Sequence, residues 1–289
     1  MRARLPVSLL AVLLAAQAWT APTVVSAVNM PAWIEHGGQR GPLIPGTALQ
    51  SGDVITTGAG ARVLLTLPEG SQVKLGEQAV FRADNLGTSD GRQSPFQATL
   101  EVIKGAFRFT TALLAKPRQR EVDVRIATVT AGIRGTDLWG KSDDEKDLVC
   151  LLEGRISVSH EGENGFHTLD EPLDFYVAPK GKPALPKAKV DAAKVVNEWA
   201  PQTEPQAGVA RSDGRWRLIV AVVANQDEAL RWYDGLREAG YAARIRPLSG
   251  GKYRVGLERL ASEADARALG EKLKAELATP LVQVGPMGG

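Results

Sequence analysis

Residues 215–285 decide the fold of the C-terminal quarter of the chain, and they read RWRLIVAVVANQDEALRWYDGLREAGYAARIRPLSGGKYRVGLERLASEADARALGEKLKAELATPLVQVG. An apolar strand pattern over 216–224 precedes a helical pattern over 225–239, which ends at Gly240 as a helix commonly does. Strand patterns at 241–248 and 252–260 follow, then a helix over 262–277 and a strand at 281–284. The order predicts an α+β unit, βαββαβ, with both helices on one face of the sheet.

Strict alternation along each strand assigns side chains to the helix-covered face or to the open face. In the third strand the apolar positions Tyr253, Val255 and Leu257 are expected to face the helices. The same rule in the other strands predicts a basic open face. Its expected ligand-binding positions are Arg217, Ile219, Arg244, Arg246, Lys252 and Arg254. The alternative is that these arginines form only the solvated side of a half-buried sheet.

Three short pieces of this stretch carry a family resemblance: Arg215-Trp216, Ala239-Gly240-Tyr241 and Tyr253-Arg254-Val255. With them, residues 215–285 resemble the SPOR domain, a sporulation-related repeat that binds peptidoglycan glycan strands lacking stem peptides. The resemblance implies a glycan ligand on the open face, with Arg254 at the family's strand-three arginine. Family members usually have glutamine where this chain has Ile219.

The first 21 residues have the pattern of a signal peptide. Arg2 and Arg4 precede an apolar run from Leu5 to Ala16, and Ala16-Gln17-Ala18 fits a cleavage site. The run is short for a bilayer span, and no other stretch of the sequence is long and apolar enough. We therefore expect an exported, periplasmic protein with no stable membrane span after cleavage. Its formal charge of +2 includes those two arginines, so bulk charge predicts no nucleic-acid partner.

Residues 22–180 show short strand patterns separated by glycine-rich turns, which predicts an all-β domain. Strands are expected at 62–67 and 72–75, and from 122 to 130. Residues 99–103 and 106–109 are predicted to form a hairpin across Lys104-Gly105.

Three motifs in this region resemble the FecR domain, a periplasmic β-rich module known from iron-transport signalling: residues 52–58, 128–137 and 151–158. The central one is the most specific, and its characteristic residues are Gly132, Ile133, Arg134, Gly135, Thr136 and Asp137. Two glycines three apart favour a bulged turn, with Arg134 and Asp137 tying adjacent loops. An anion or glycan contact through Arg134 is the alternative. The family's cytoplasmic tail and transmembrane helix are not evident, so anti-sigma signalling is not implied.

Residue types that carry catalysis or bind metals form no convincing pattern. His160 and His167 lie near acidic residues, but their spacing matches no standard zinc site. Cys150, the single cysteine, lies in an apolar run and is predicted to be buried and unpaired. We therefore predict no metal, no cofactor and no enzymatic activity.

Residues 181–214 are predicted to be a linker with a short helix over 190–199. Its final part, 201–214, should be flexible, and the two domains should move independently unless Trp199 packs against one of them.

These features favour a non-enzymatic envelope protein that binds peptidoglycan through residues 215–285. Its β domain, residues 22–180, would bind another ligand or an envelope protein. The alternative is a cell-wall-acting enzyme or envelope sensor targeted by the C-terminal domain. RNA binding is disfavoured, because the aromatic platform of the third strand is missing.

Overall fold

The computed structural model describes residues 22–86, 96–111, 120–133, 135–277, 279 and 283–288. The predicted signal peptide, residues 1–21, lies outside them. The N-terminal part is built from strands, as predicted. Their bounds are β1 Val24–Asn29, β2 Ala32–His36, β3 Gln39–Pro42, β4 Val54–Thr57, β5 Arg62–Thr66, β6 Gln72–Leu75, β7 Val80–Asn85, β8 Phe96–Thr110, β9 Arg120–Ile126, β10 Val129–Ile133, β11 Asp137–Ser142, β12 Lys146–Glu153, β13 Ile156–His160, β14 His167–Leu169 and β15 Asp174–Pro179.

Strand β8 belongs to two sheets, and it replaces the hairpin predicted around Lys104-Gly105. Its first half pairs with β7 and β9, and its second half pairs with β6 and β11. At the bend Gly105 has φ +93°, and a Cβ there would lie 2.6 Å from Ala79 Cα. The prediction was wrong because glycine here bends one strand instead of closing a turn.

The hairpin lies instead at residues 126–129, within what was predicted to be one strand. Strands β9 and β10 pair as antiparallel neighbours around Ala127, whose φ is +45°. The Asp147 carboxylate accepts hydrogen bonds from the backbone N–H and the hydroxyl of Thr128. A buried side chain from β12 therefore holds this turn, and the local sequence gave no sign of it.

Most buried apolar side chains of these strands form one core, whereas Ala106, Trp139 and Cys150 belong to a second cluster with Val195 and Trp199. Large side chains fill the larger core, among them Phe81, Leu100, Phe107, Phe109 and Tyr176. Burial of this apolar surface is the main stabilising term of such a fold, at about 25 cal/mol per Å².

Residues 181–214 pack against the rest of the protein, which corrects the prediction of a flexible linker over 201–214. The segment contains β16 (Ala188–Lys189), α1 (Ala192–Lys194), a π-helical turn (Val195–Trp199), a 3₁₀ turn (Ala200–Gln202) and β17 (Val209–Arg211). Trp199 stacks on Trp139 with ring centroids 4.8 Å apart. Strand β17 pairs with β1, and Ala210 also pairs with Leu260 of the C-terminal unit.

The C-terminal unit has the predicted βαββαβ order. Its elements are β18 (Trp216–Val223), α2 (Gln226–Glu238), β19 (Ala243–Pro247), β20 (Tyr253–Leu260), α3 (Glu263–Leu277) and β21 (Gln283–Pro286). The sheet order is β19-β20-β18-β21. The last strand was predicted at 281–284; of that range, 281 and 282 lie outside the described residues.

Several polar contacts join the C-terminal unit to the β domain. The Trp33 indole N–H donates to the Glu238 carbonyl at 3.1 Å, and Ala32 N–H donates to the Gly240 carbonyl at 3.1 Å. Lys272 Nζ reaches the Met30 carbonyl at 3.0 Å. None of the described helices is long and apolar enough to cross a membrane.

Candidate functional site

The open face of the C-terminal sheet is the candidate site, because α2 and α3 cover the opposite face. Leu218, Val220, Val255 and Leu257 are buried toward the helices. An irregular pairing between β18 and β20 brings Gly256 opposite Ile219, and a Cβ at Gly256 would lie 2.2 Å from the Leu218 carbonyl oxygen. Only glycine fits at this close approach between the two strands.

Cross-strand pairing places most of the predicted residues around Gly256. Arg246 is opposite Arg254, and Arg244 is opposite Gly256. Arg217 lies on the neighbouring strand, and its Nε is buried with no hydrogen-bond acceptor among the described residues. Burial, followed by the nearby Arg217 guanidinium, lowers the pKa of Arg254. The four arginines therefore form one group, called here the arginine face.

Lys252 does not lie within this group. It precedes β20 directly, next to the 3₁₀ turn Ser249–Gly251, and its side chain is exposed. Its backbone carbonyl accepts a hydrogen bond from Leu248 N–H. This lysine is therefore at the end of the sheet.

Two polar residues of the face were not predicted. Glu258 accepts hydrogen bonds from Arg246 Nε and Nη2, both at 2.9 Å, and this contact holds the pKa of Glu258 below its ordinary value. Gln283 is the direct partner of Ile219 across β18 and β21. Continued alternation from Arg254 through Gly256 would have identified Glu258, whereas Gln283 required the register of the last strand.

Contacts with neighbouring segments hold the glycine-rich motif of the β domain in place. Gly132 and Ile133 lie in β10, Gly135 has φ +77°, and Thr136 N–H donates to the Thr111 hydroxyl. Asp137 forms a two-point ion pair with Arg108 of β8, at 2.9 and 2.7 Å. Asp137 thus ties neighbouring strands, while Arg134 lies outside the described residues.

The histidines that suggested a metal site both approach one carboxylate. His167 Nε2 is 3.3 Å and His160 Nδ1 is 3.9 Å from Glu163. The Ala184 N–H and the Tyr176 hydroxyl donate to the same carboxylate. Across the described ranges no group of three or more metal-ligating side chains is found, and Glu163 acts as a structural acceptor.

Comparison with known families identifies two domains in the chain. The FecR protein family model matches residues 53–157, and the SPOR domain model matches residues 212–283. No curated protein matches the chain significantly.

Two crystal structures of a proposed anti-sigma factor from Parabacteroides distasonis ATCC 8503 show similarity. The first, at 1.65 Å, has 21% identity and a TM-score of 0.40, and the match covers 50% of this chain and 62% of that one. The second, at 2.50 Å, has 17% identity and a TM-score of 0.41, over 78% of this chain and 91% of that one.

Proposed function

We propose that this chain, which carries a FecR domain followed by a SPOR domain, is a non-enzymatic periplasmic protein that binds peptidoglycan glycan strands. The arginine face is the observation that supports this proposal. Four guanidinium groups and one carboxylate lie around Gly256 on the side of the sheet without helices. The FecR domain provides a separate surface for another ligand or for an envelope protein.

The chemistry of the face suits the acetamide and lactyl carboxylate groups of glycan strands. Guanidinium groups bind carboxylates by paired, charge-assisted hydrogen bonds. Arg254 is held near Arg217 and is partly desolvated, so a ligand carboxylate would relieve the repulsion between the two. Because Glu258 already engages Arg246, the pair Arg217 and Arg254 is the better anion subsite.

Ile219 replaces the glutamine that SPOR domains usually have, and Gln283 offers a replacement. The two residues are direct neighbours on β18 and β21, so Gln283 presents its amide in the same row of the face. We infer that Gln283 supplies the polar contact that Ile219 lacks.

Co-sedimentation with amidase-treated sacculi tests the glycan proposal. Loss of one hydrogen bond to a charged group costs about 1.5–3 kcal/mol, so Arg254→Ala should weaken binding about ten- to a hundred-fold. Arg231→Ala is the matched control, because Arg231 is an exposed arginine on α2. Absence of wild-type binding, or equal loss in both variants, would contradict a glycan site on this face.

Periplasmic location is proposed from the pattern of residues 1–21. We expect a mature chain that begins near Trp19 or Pro22. Intact mass of the protein recovered from cell fractions measures this directly. A cytoplasmic species that retains Met1 would contradict export.

A further inference from the structure

The open face of the C-terminal sheet carries apolar side chains as well as arginines, and strand β18 supplies them. The pairing of β18 with β20 is irregular between Ile219 and Ala221, so the alternation of side chains shifts at Val220. Ala221 is therefore 3% exposed, whereas Val222 is 42% exposed and lies opposite Arg254. Continued alternation from Ile219 would have placed Ala221 on the open face. The irregular pairing thus adds a valine side chain to the arginine face.

Ile219 and Val222 together form the apolar part of the face, called here the apolar row. Their direct partners on β20 are Gly256 and Arg254. Because Gly256 has no side chain, the residue opposite Ile219 does not cover it. The face therefore presents methyl groups beside guanidinium groups, a combination that suits a ligand with both apolar and hydrogen-bond-accepting parts.

Most of the positive charge on the face has no counter-charge. Arg246 forms an ion pair with Glu258. In the described part of the chain, no carboxylate lies within ion-pair distance of Arg217, Arg244 or Arg254. Burial, and then the neighbouring Arg217 guanidinium, lower the pKa of Arg254. A cationic ligand group placed here would be repelled, because juxtaposed like charges cost binding free energy.

The acetamide group of an N-acetylated sugar complements both parts of this surface. It is neutral, its carbonyl oxygen accepts hydrogen bonds from guanidinium N–H groups, and its methyl group is apolar. Removal of the acetyl group leaves a primary amine, which is protonated well below a pH of about 7.7. De-N-acetylation therefore replaces a neutral acceptor with a cation and removes a methyl group at the same time.

We propose that the arginine face binds N-acetylated glycan and discriminates against de-N-acetylated glycan, with the acetamide methyl group packed on Val222. This inference rests on the proposed function, since it specifies which form of the glycan the same face accepts. Two effects act in the same direction: the unpaired guanidinium groups repel the sugar amine, and the apolar row loses the methyl group that covers it. Val222 is thus a residue that determines specificity.

Binding of residues 22–289 to three preparations of amidase-treated sacculi tests the proposal, at pH 6 and constant ionic strength. The first preparation is N-acetylated, the second is treated with a glycan de-N-acetylase, and the third is the second after renewed acetylation with acetic anhydride. We expect the second to bind at least about ten-fold more weakly than the first. The third should recover the affinity of the first, which excludes damage to the glycan as the cause.

Val222→Thr tests the methyl contact, because it replaces a methyl group by a hydroxyl group at nearly the same side-chain size. It should weaken binding to the N-acetylated preparation about four-fold, the effect of one methyl-sized group. Its binding to the de-N-acetylated preparation should equal that of wild type. Val196→Thr is the matched control, since Val196 is 66% exposed and lies outside the C-terminal unit. Amide spectra with the dispersion of wild type show that both variants are folded.

The outcomes separate this inference from the proposed function. Equal binding of wild type to the N-acetylated and de-N-acetylated preparations would overturn the inference and leave the glycan site in place. Binding of Val222→Thr that matches wild type on every preparation would do the same. Absence of wild-type binding to all three preparations would overturn the proposed function and this inference together.

Discussion

At the scale of single residues, Glu258 sets the charge balance of the arginine face. Its side chain is 17% exposed, and that of its partner Arg246 is 55% exposed. The bare backbone of Gly256, two positions before Glu258, leaves Arg246 room to lie across the face. Solvent screens such a half-exposed pair, so its contribution to stability is about 0.2–1 kcal/mol.

The effect of Glu258→Gln should depend on pH. The hydrogen bonds from Arg246 lower the folded-state pKa of Glu258, so the ionised form is favoured by folding. Its stabilisation is present above the unfolded pKa of about 4.3 and is lost as the pH falls through the lower folded value. Wild type should be slightly more stable than Glu258→Gln at pH 7, and the difference should vanish in acid.

Thermal unfolding of both proteins between pH 7 and pH 3 measures this difference. Glu161→Gln, at an exposed hairpin position, is the control and should show no such convergence. A difference in stability between wild type and Glu258→Gln that stays constant at every pH would show that the Arg246 contact does not depend on charge.

Alternation along the strands depends only on local backbone geometry, so the sequence could assign four arginines to one face, while their role in ligand binding stays a prediction. No knowledge of distant contacts was needed to assign this face to Arg217, Arg244, Arg246 and Arg254. Burial of Arg217 Nε and the pairing of Gln283 with Ile219 arise from register between strands far apart in the chain. A single sequence does not specify that register.

At the scale of elements, the two main errors in the predicted strands lie at one glycine and one alanine. Gly105 and Ala127 both have positive φ, yet one bends a strand and the other closes a hairpin. The difference lies in their surroundings: Gly105 packs against Ala79, whereas the Asp147 carboxylate holds the turn at Thr128. Contacts with distant parts of the chain therefore determine whether the backbone bends or turns at these two positions.

Residues 190–204, called here the strap, cover Cys150. The thiol is fully buried beside Trp139 and Trp199, and burial raises its pKa to about 12. We expect a thiol reagent at pH 8 to label the native protein slowly and the denatured protein rapidly, because the reactive thiolate is scarce and inaccessible. Rapid labelling of the native protein would place Cys150 at the surface.

Trp199→Ala should speed native labelling of Cys150, since it removes the ring that stacks on Trp139. Truncation of a buried tryptophan costs about 3–5 kcal/mol, enough to detach the strap locally. Val196→Ala is the control, because Val196 lies on the same turn but is 66% exposed. Equal labelling of both variants would mean that the strap does not protect the thiol.

At the scale of the whole molecule, strand pairing joins the two domains. We propose the units 22–180 and 215–285 as domains, connected by a segment that packs on both. Strand β17 pairs with β1 of one unit and with Leu260 of the other. The sequence did not reveal β17, because Val209-Ala210-Arg211 is too short to show a pattern and β1 lies about 180 residues away.

This arrangement predicts that residues 22–289 unfold in one cooperative transition. Trp33 is central to the contact: its indole N–H donates to Glu238, and its ring packs so closely on Gly240 that a Cβ there would lie 2.7 Å away. Trp33→Ala removes both interactions. We expect the variant to unfold in two separate transitions, because the remaining contacts hold the units together less strongly than each core holds itself.

Differential scanning calorimetry distinguishes one cooperative unfolding transition from two separate ones. For wild type the calorimetric and van't Hoff enthalpies should agree, as they do for a single cooperative unit, whereas for Trp33→Ala the calorimetric enthalpy should exceed the van't Hoff value. Phe166→Ala is the control, because Phe166 is 77% exposed and should leave the transition unchanged. Two transitions in wild type would show that the two units unfold independently.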